Sequence, residues 1–130
     1  FPEGIRLFTS TYQTCHGEDG NGLTAQAPPL NNSEWVTGDK DKLIAIVLYG
    51  LTGPVKVNNK TYKSPEISGE MPGLGQNKDI SDETLAQVLS YIRRNWNNNA
   101  SAITREDVNK IRGHWNQRQQ PFTAEELKNW

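Results

Sequence analysis

Residues 12–22 read Tyr12-Gln13-Thr14-Cys15-His16-Gly17-Glu18-Asp19-Gly20-Asn21-Gly22. Cys15 is the single cysteine of a 130-residue chain, and His16 is one of two histidines. Several chemistries are open to such a pair. A nucleophile with its base is disfavoured, because neighbours in a helix point about 100° apart and do not face each other. A zinc site needs about four ligands at set spacings, and there is no second cluster to supply them. On the dipeptide alone, a buried Cys beside a surface His is the simpler reading. One Cys also excludes an internal disulfide and leaves the redox compartment open.

Upstream, Pro2 and Glu3 suit the first turn of a helix. Ile5, Phe8, Tyr12 and Cys15 recur at spacings of three and four, which predicts one buried helix face running to about Thr14. Gly17, Gly20 and Gly22 stop that helix, and Pro28 and Pro29 keep the following stretch irregular.

Downstream, Asp39 caps a predicted helix through Leu43, Ile44, Ile46, Val47 and Leu48 to Gly50. Its β-branched run also fits a buried strand, but the charged lead-in and the Gly stop favour helix. Val55 to Tyr62 reads as a hairpin turning at Asn58-Asn59, which must lie against something to be stable. Residues 64–79, with Pro65, Gly69, Pro72, Gly73 and Gly75, read as loop. The plainest helix follows. Ser81 caps it, Leu85, Val88, Leu89, Ile92 and Trp96 form its apolar stripe, and Asn97 to Asn99 end it. Thr104 with Asp107, and Thr123 with Glu126, mark two capped helices at about 104–116 and 123–130. Apolar residues thin out after Asn97. The chain therefore divides into a domain at 1–100 and a helical C-terminal extension at 101–130 packed on it. On that reading, deleting the extension weakens contact with a partner more than it disturbs the domain.

The composition excludes other classes. Counted with Gly and without Tyr, apolar residues are 51 of the 130, lean for a globular domain, so a large apolar cofactor would help to fill the core. Fourteen basic against 15 acidic residues give a net charge of −1, with no basic field for nucleic acid. The longest apolar run, Leu43 to Leu51, is too short to span a membrane. No signal peptide is visible, so the chain reads as a cytosolic protein or as a mature or excised piece.

Taken together, the motifs carry a resemblance. Gly4-x-x-x-Phe8, Tyr12-x-x-Cys15-His16-Gly17 and Asp19-Gly20-x-Gly22 resemble the first helix and haem-attachment segment of class I cytochromes c. Ala27-Pro28-Pro29-Leu30 resembles the loop that follows, Glu70-Met71-Pro72 the sixth-ligand loop, and Leu85 to Trp96 the last helix. The order is right, and about residues 1–97 are covered. Asn32-x-x-Trp35-Val36-Thr37-Gly38 and Tyr91-Ile92-Arg93-x-x-Trp96-x-Asn98 are similar to cytochrome domains associated with sugar and alcohol dehydrogenases. The chain departs from the family at Tyr12, where the first of two attachment cysteines would fall. Two thioethers are therefore impossible, and one, at Cys15, remains open.

The resemblance implies an all-α, cytochrome c-like fold around a haem c, with the hairpin at 55–62 and the C-terminal helices added. It implies His16 and Met71 as iron ligands, with the second ring nitrogen of His16 held by the Pro28 carbonyl. Leu30, Tyr49, Leu74 and Leu89 become candidates for the haem wall. Trp35 either reaches a haem propionate with its N–H or packs in the core. Tyr12 packs where the haem edge lies. Met71 is the only methionine, and the alternative for it is a flexible gap-filler. His114 reads as a surface residue on a short helix. With Lys63 or a vacant site, it is the alternative to Met71 as sixth ligand. The implied function is one-electron transfer between a dehydrogenase and a downstream acceptor, in the periplasm of a bacterium, with no substrate chemistry of its own. The alternatives are a haem-free docking module, for which Tyr12 speaks, and a haem enzyme with an open iron site, which Met71 opposes.

Overall fold

A computed structural model describes residues 2–23, 27–64, 67, 70–75, 77 and 80–130, without the side chains of Pro2, Glu3, Thr14 and Cys15. Pro65 and Gly69, read as loop formers, lie outside the described residues.

The first helix runs beyond its predicted end. α1 (Pro2–Leu7) passes through a π-helical stretch (Phe8–Tyr12) into α2 (Gln13–His16). Gly17, at φ 83°, ends it. The expected uniform face does not hold: Ile5 is 47% exposed, while Phe8 and His16 are buried. Residues eight apart on an α-helix point about 80° apart. The wider π turn absorbs about one residue and so brings Phe8 and His16 onto nearly the same side. Gly4 allows α1 to cross the last domain helix closely; a Cβ there would sit 2.5 Å from the Gln87 carbonyl oxygen.

A short helix that the sequence reading missed, α3 (Glu34–Thr37), is capped by Ser33, whose side chain accepts from the Trp35 N–H. α4 (Lys40–Tyr49) starts at the predicted Asp39 cap. Strands follow. β1 (Gly50–Thr52) leads into the hairpin of β2 (Val55–Val57) and β3 (Lys60–Tyr62). Asn58 and Asn59 take φ values of 52° and 69°, the paired left-handed geometry of a tight two-residue turn. Val55 and Val57 bury against Ile67 and Ala124, with Trp35, Leu51 and Tyr62 beside them.

β4 (Glu70–Pro72) lies within the segment read as loop and pairs antiparallel with β1, Met71 opposite Leu51. Pro72 is tolerated because β4 is an edge strand. α5 (Asp82–Arg94) is capped by Ser81 and ends sooner than its stripe predicted. Trp96 lies beyond it at φ 55°. Its ring covers Gly20, where a Cβ would come within 2.6 Å of the indole, and its N–H donates to the Glu18 carbonyl at 3.0 Å.

α6 (Arg105–His114) and α7 (Ala124–Lys128) both begin in complete capping boxes. Between them β5 (Phe122–Thr123) pairs parallel with β1. The resulting sheet, in order β4-β1-β5, corrects the all-α reading: the fold is mixed, mainly helical with short strands. The core correction is larger. Ile103, Val108, Ile111, Phe122 and Leu127 are buried in one cluster with Phe8, α4 and α5. Few in number, they are nonetheless interior.

Arg93 joins these parts. It is 3% exposed, and its guanidinium donates to the carbonyls of Val36 (2.9 Å), Gly38 (3.1 Å) and Ser101 (2.8 Å). Arg93→Met would leave those carbonyls unpaired. It is expected to destabilise the protein by roughly 3 kcal/mol or more, read as a lower urea midpoint at unchanged slope.

Candidate haem site

His16 is placed by the end of α2. The helix delivers it, and the turn at Gly17 and Gly22 brings the 27–30 segment back over it. The Gly22 N–H donates to the His16 carbonyl at 2.8 Å. The ring is 4% exposed, and its Nδ1 lies 2.8 Å from the Pro28 carbonyl oxygen. That oxygen can only accept, so Nδ1 carries the proton and Nε2 keeps its lone pair. Burial pushes the imidazole pKa down, against the opposing pull of the Pro28 bond. The neutral, ligating form is therefore the favoured one.

His16 borders a cavity of about 250 Å³. Pro28, Leu30, Trp35, Met71, Leu74 and Leu89 line it as well, and Tyr12, Val36, Leu43, Ile46 and Val47 complete much of the wall. The structure thus gathers seven of the proposed site residues, from five separate parts of the chain, around one apolar space. Leu74 is fixed there by its own N–H, which donates to the Val47 carbonyl at 2.8 Å.

Other expectations fare differently. Tyr49 is not at the cavity wall. Its hydroxyl donates to the Trp115 carbonyl at 2.8 Å, and its ring meets Phe122 edge-on. The Trp35 indole N–H is engaged with the Lys56 carbonyl at 2.8 Å, which ties the hairpin to α3; only the body of the ring faces the cavity. His114 is exposed and packs on Trp115, away from the cavity. The Cys15 side chain lies outside the described residues. Tyr12 lines the cavity, and its buried hydroxyl has no hydrogen-bond partner. Burial pushes its pKa well above the ordinary tyrosine value, so it stays protonated.

Asn98 is a supporting residue to which the sequence reading gave no role in the site. It is 5% exposed. Its side chain accepts from the Asn32 N–H at 2.8 Å and donates to the carbonyls of Leu30 (3.0 Å) and Ile92 (2.8 Å). It therefore pins the Leu30 wall to the end of α5. Its only signal was its place in the Tyr91-to-Asn98 motif.

The donor set fits a haem. A buried, neutral imidazole presents Nε2, the sole thioether of the chain borders the same space, and the remaining walls are almost entirely apolar. A flat apolar macrocycle with an iron that accepts nitrogen and sulfur ligands matches that chemistry. Fold and site together define a haem-binding electron-transfer domain.

Comparison with known proteins agrees. Residues 2–92 match the family described as cytochrome c oxidase, cbb3-type, subunit III. The chain is 33% identical over 118 residues to cytochrome c-552 of Thermus thermophilus, covering 88% of this chain and 73% of that protein. It is 30% identical over 111 residues to the cytochrome c subunit of a quinone alcohol dehydrogenase of Gluconobacter oxydans. It is 31% identical over 115 residues to the gluconate 2-dehydrogenase cytochrome c subunit of Pantoea cypripedii. Each of these two alignments covers 84% of this chain, but only 22% and 24% of the relatives. The chain belongs to the cytochrome c family. Membership implies a haem c with its iron, and the relatives mark an electron-transfer domain rather than an enzyme. Among the described residues, no helix is long and apolar enough to cross a membrane.

Proposed function

We propose that this domain carries single electrons from a dehydrogenase to a downstream cytochrome or oxidase, with His16 and Met71 as the axial ligands. One observation carries the reading: the Pro28 carbonyl occupies Nδ1 of His16, leaving Nε2 for the cavity that Met71 also borders. When bound, the haem supplies a one-electron couple. The protein does the rest. His16 is oriented by Pro28, and its basicity is raised by the same bond. Leu30, Leu74 and Leu89 keep water from the cavity. Met71 offers a thioether, which favours the reduced state and raises the potential. The dehydrogenase partner is suggested by two relatives that are dehydrogenase subunits. The periplasm, or another extracytoplasmic compartment, is the expected site of haem c maturation.

Attachment is through one thioether, at Cys15, because Tyr12 offers no thiol. The expected pyridine haemochrome band lies between the b-type and c-type positions, and the denatured chain is expected to keep one haem's mass. A sharp Soret band separates this reading from a haem-free docking module. Haem extracted whole by acid and ketone would overturn covalent attachment. Rapid carbon monoxide binding by the unmodified protein would overturn Met71 ligation in favour of an open iron site.

A further inference from the structure

We propose that the C-terminal segment from Arg112 to Thr123 is a positioning element for Met71, holding the strand that carries it in place. The proposal rests on the reading of Met71 as a ligand and goes beyond it. The holding residues lie outside residues 2–92, the part of the chain that matches the family.

Three separate attachments converge. The first is the sheet itself: Leu51 stands beside Met71 on one side and beside Phe122 on the other. Two three-residue strands alone are marginal, and a third with an apolar face is what makes such a sheet stable. β5 supplies that third strand. Phe122 is fully buried, with Trp115 edge-on at 5.4 Å and the Arg118 guanidinium 3.6 Å from its ring centre. The second attachment is the bond from the Tyr49 hydroxyl to the Trp115 carbonyl at 2.8 Å, at the residue before β1. The third is Arg112, which donates to the Gly75 carbonyl at 2.8 Å and to Asp82 at 2.9 Å. It holds the chain just after Met71.

The Met71 segment has little freedom once so held. Gly50, at φ 95°, brings β1 so close that a Cβ there would lie 2.5 Å from the Met71 carbonyl oxygen. The Gly75 N–H donates to Leu48 at 2.8 Å. For Met71 to leave the cavity, β4 must part from β1, and the C-terminal segment opposes that. A ligand that competes for the same iron position binds only the open state, so its apparent affinity reports the open fraction.

The test uses the haem-loaded ferric protein and imidazole as the competing ligand. Tyr49→Phe removes the second attachment with little change of volume, and Arg112→Gln removes the third, both its Gly75 bond and its Asp82 ion pair. Tyr49→Phe is expected to lower the imidazole midpoint by about threefold to tenfold, the effect of one lost hydrogen bond on a local opening equilibrium, and Arg112→Gln, which loses two contacts, by at least as much. Amide exchange at Leu51 and Thr52 is expected to speed up by a similar factor. Val108→Ala, in α6 of the same extension, is the control for general loss of stability. It is expected to lower the urea midpoint and leave the imidazole midpoint in place. If Val108→Ala shifts imidazole binding as much as Tyr49→Phe, or if neither attachment variant shifts it, the positioning role is overturned while Met71 ligation stands. If the unmodified ferric protein lacks the near-infrared sulfur-to-iron band, the ligand reading fails and the positioning role falls with it.

Discussion

Deleting residues 101–130 is expected to unfold the protein and to broaden and shift its Soret band. The segment buries Ile103, Val108, Ile111, Phe122 and Leu127 in the same cluster as α4 and α5. Truncating one such Ile or Leu to Ala costs about 2–5 kcal/mol, and a Phe about 3–5. Whole domains are stable by only about 5–15 kcal/mol, so losing all five together exceeds what the remainder can hold. Polar links go as well. Ser90 in α5 exchanges two hydrogen bonds with the Ile103 backbone, at 2.9 and 3.1 Å, and Arg93 loses the Ser101 carbonyl. The measurements are far-UV circular dichroism and the Soret band of the truncated chain. A cooperative melt with a sharp Soret band would show instead that residues 1–100 stand alone and that the extension serves mainly a partner.

Met71→Ala is expected to keep a haem-bound chain while changing nearly every property of its iron. The weak near-infrared sulfur-to-iron band of the ferric form should vanish. Carbon monoxide and cyanide should bind readily, because no other methionine exists to take the position and His114 packs on Trp115 away from the cavity. The midpoint potential should fall by on the order of 0.1–0.3 V, within the roughly 0.8 V over which axial ligands set haem potentials. The sign follows from the thioether, which stabilises the reduced iron more than the oxidised. The haem stays because His16 is held independently by Pro28 and by the end of α2. A variant whose potential and ligand-binding rates match those of the unmodified protein would remove Met71 from the iron and weaken the electron-carrier reading toward a haem enzyme.

The candidate site could be drawn from the sequence where a residue type was scarce. One Cys, one Met and one His beside the Cys left few candidates, and the family order of the motifs linked them. Tyr49, which does not line the cavity, could not be placed for the opposite reason. An aromatic at the end of an apolar helix fits a cofactor wall as well as it fits an aromatic cluster, and only the packing of Trp115 and Phe122 against it decides. Trp35 is similar: its indole N–H has many carbonyls within reach, and the chain itself does not say that Lys56 is the one.

What the sequence determined by itself lies within a few residues of its cause. Asp39, Ser81, Thr104 and Thr123 cap helices because the N–H groups they satisfy are two or three positions away. Asn58-Asn59 turns a hairpin because only its own two backbone angles need to be left-handed. Tertiary structure decided the rest, where the partner is distant along the chain. The Met71 strand exists only because β1 lies some 20 residues before it and β5 some 50 after it. Its own Glu-Met-Pro sequence has no strand periodicity. Asn98 closes the Leu30 wall from 68 positions away. The sparse apolar residues after Asn97 became core because they join the cluster built on α4 and α5, not because their spacing announces a buried face. Hydrophobic burial depends on what lies opposite, and in a chain this lean in apolar residues the fold alone determines what that is.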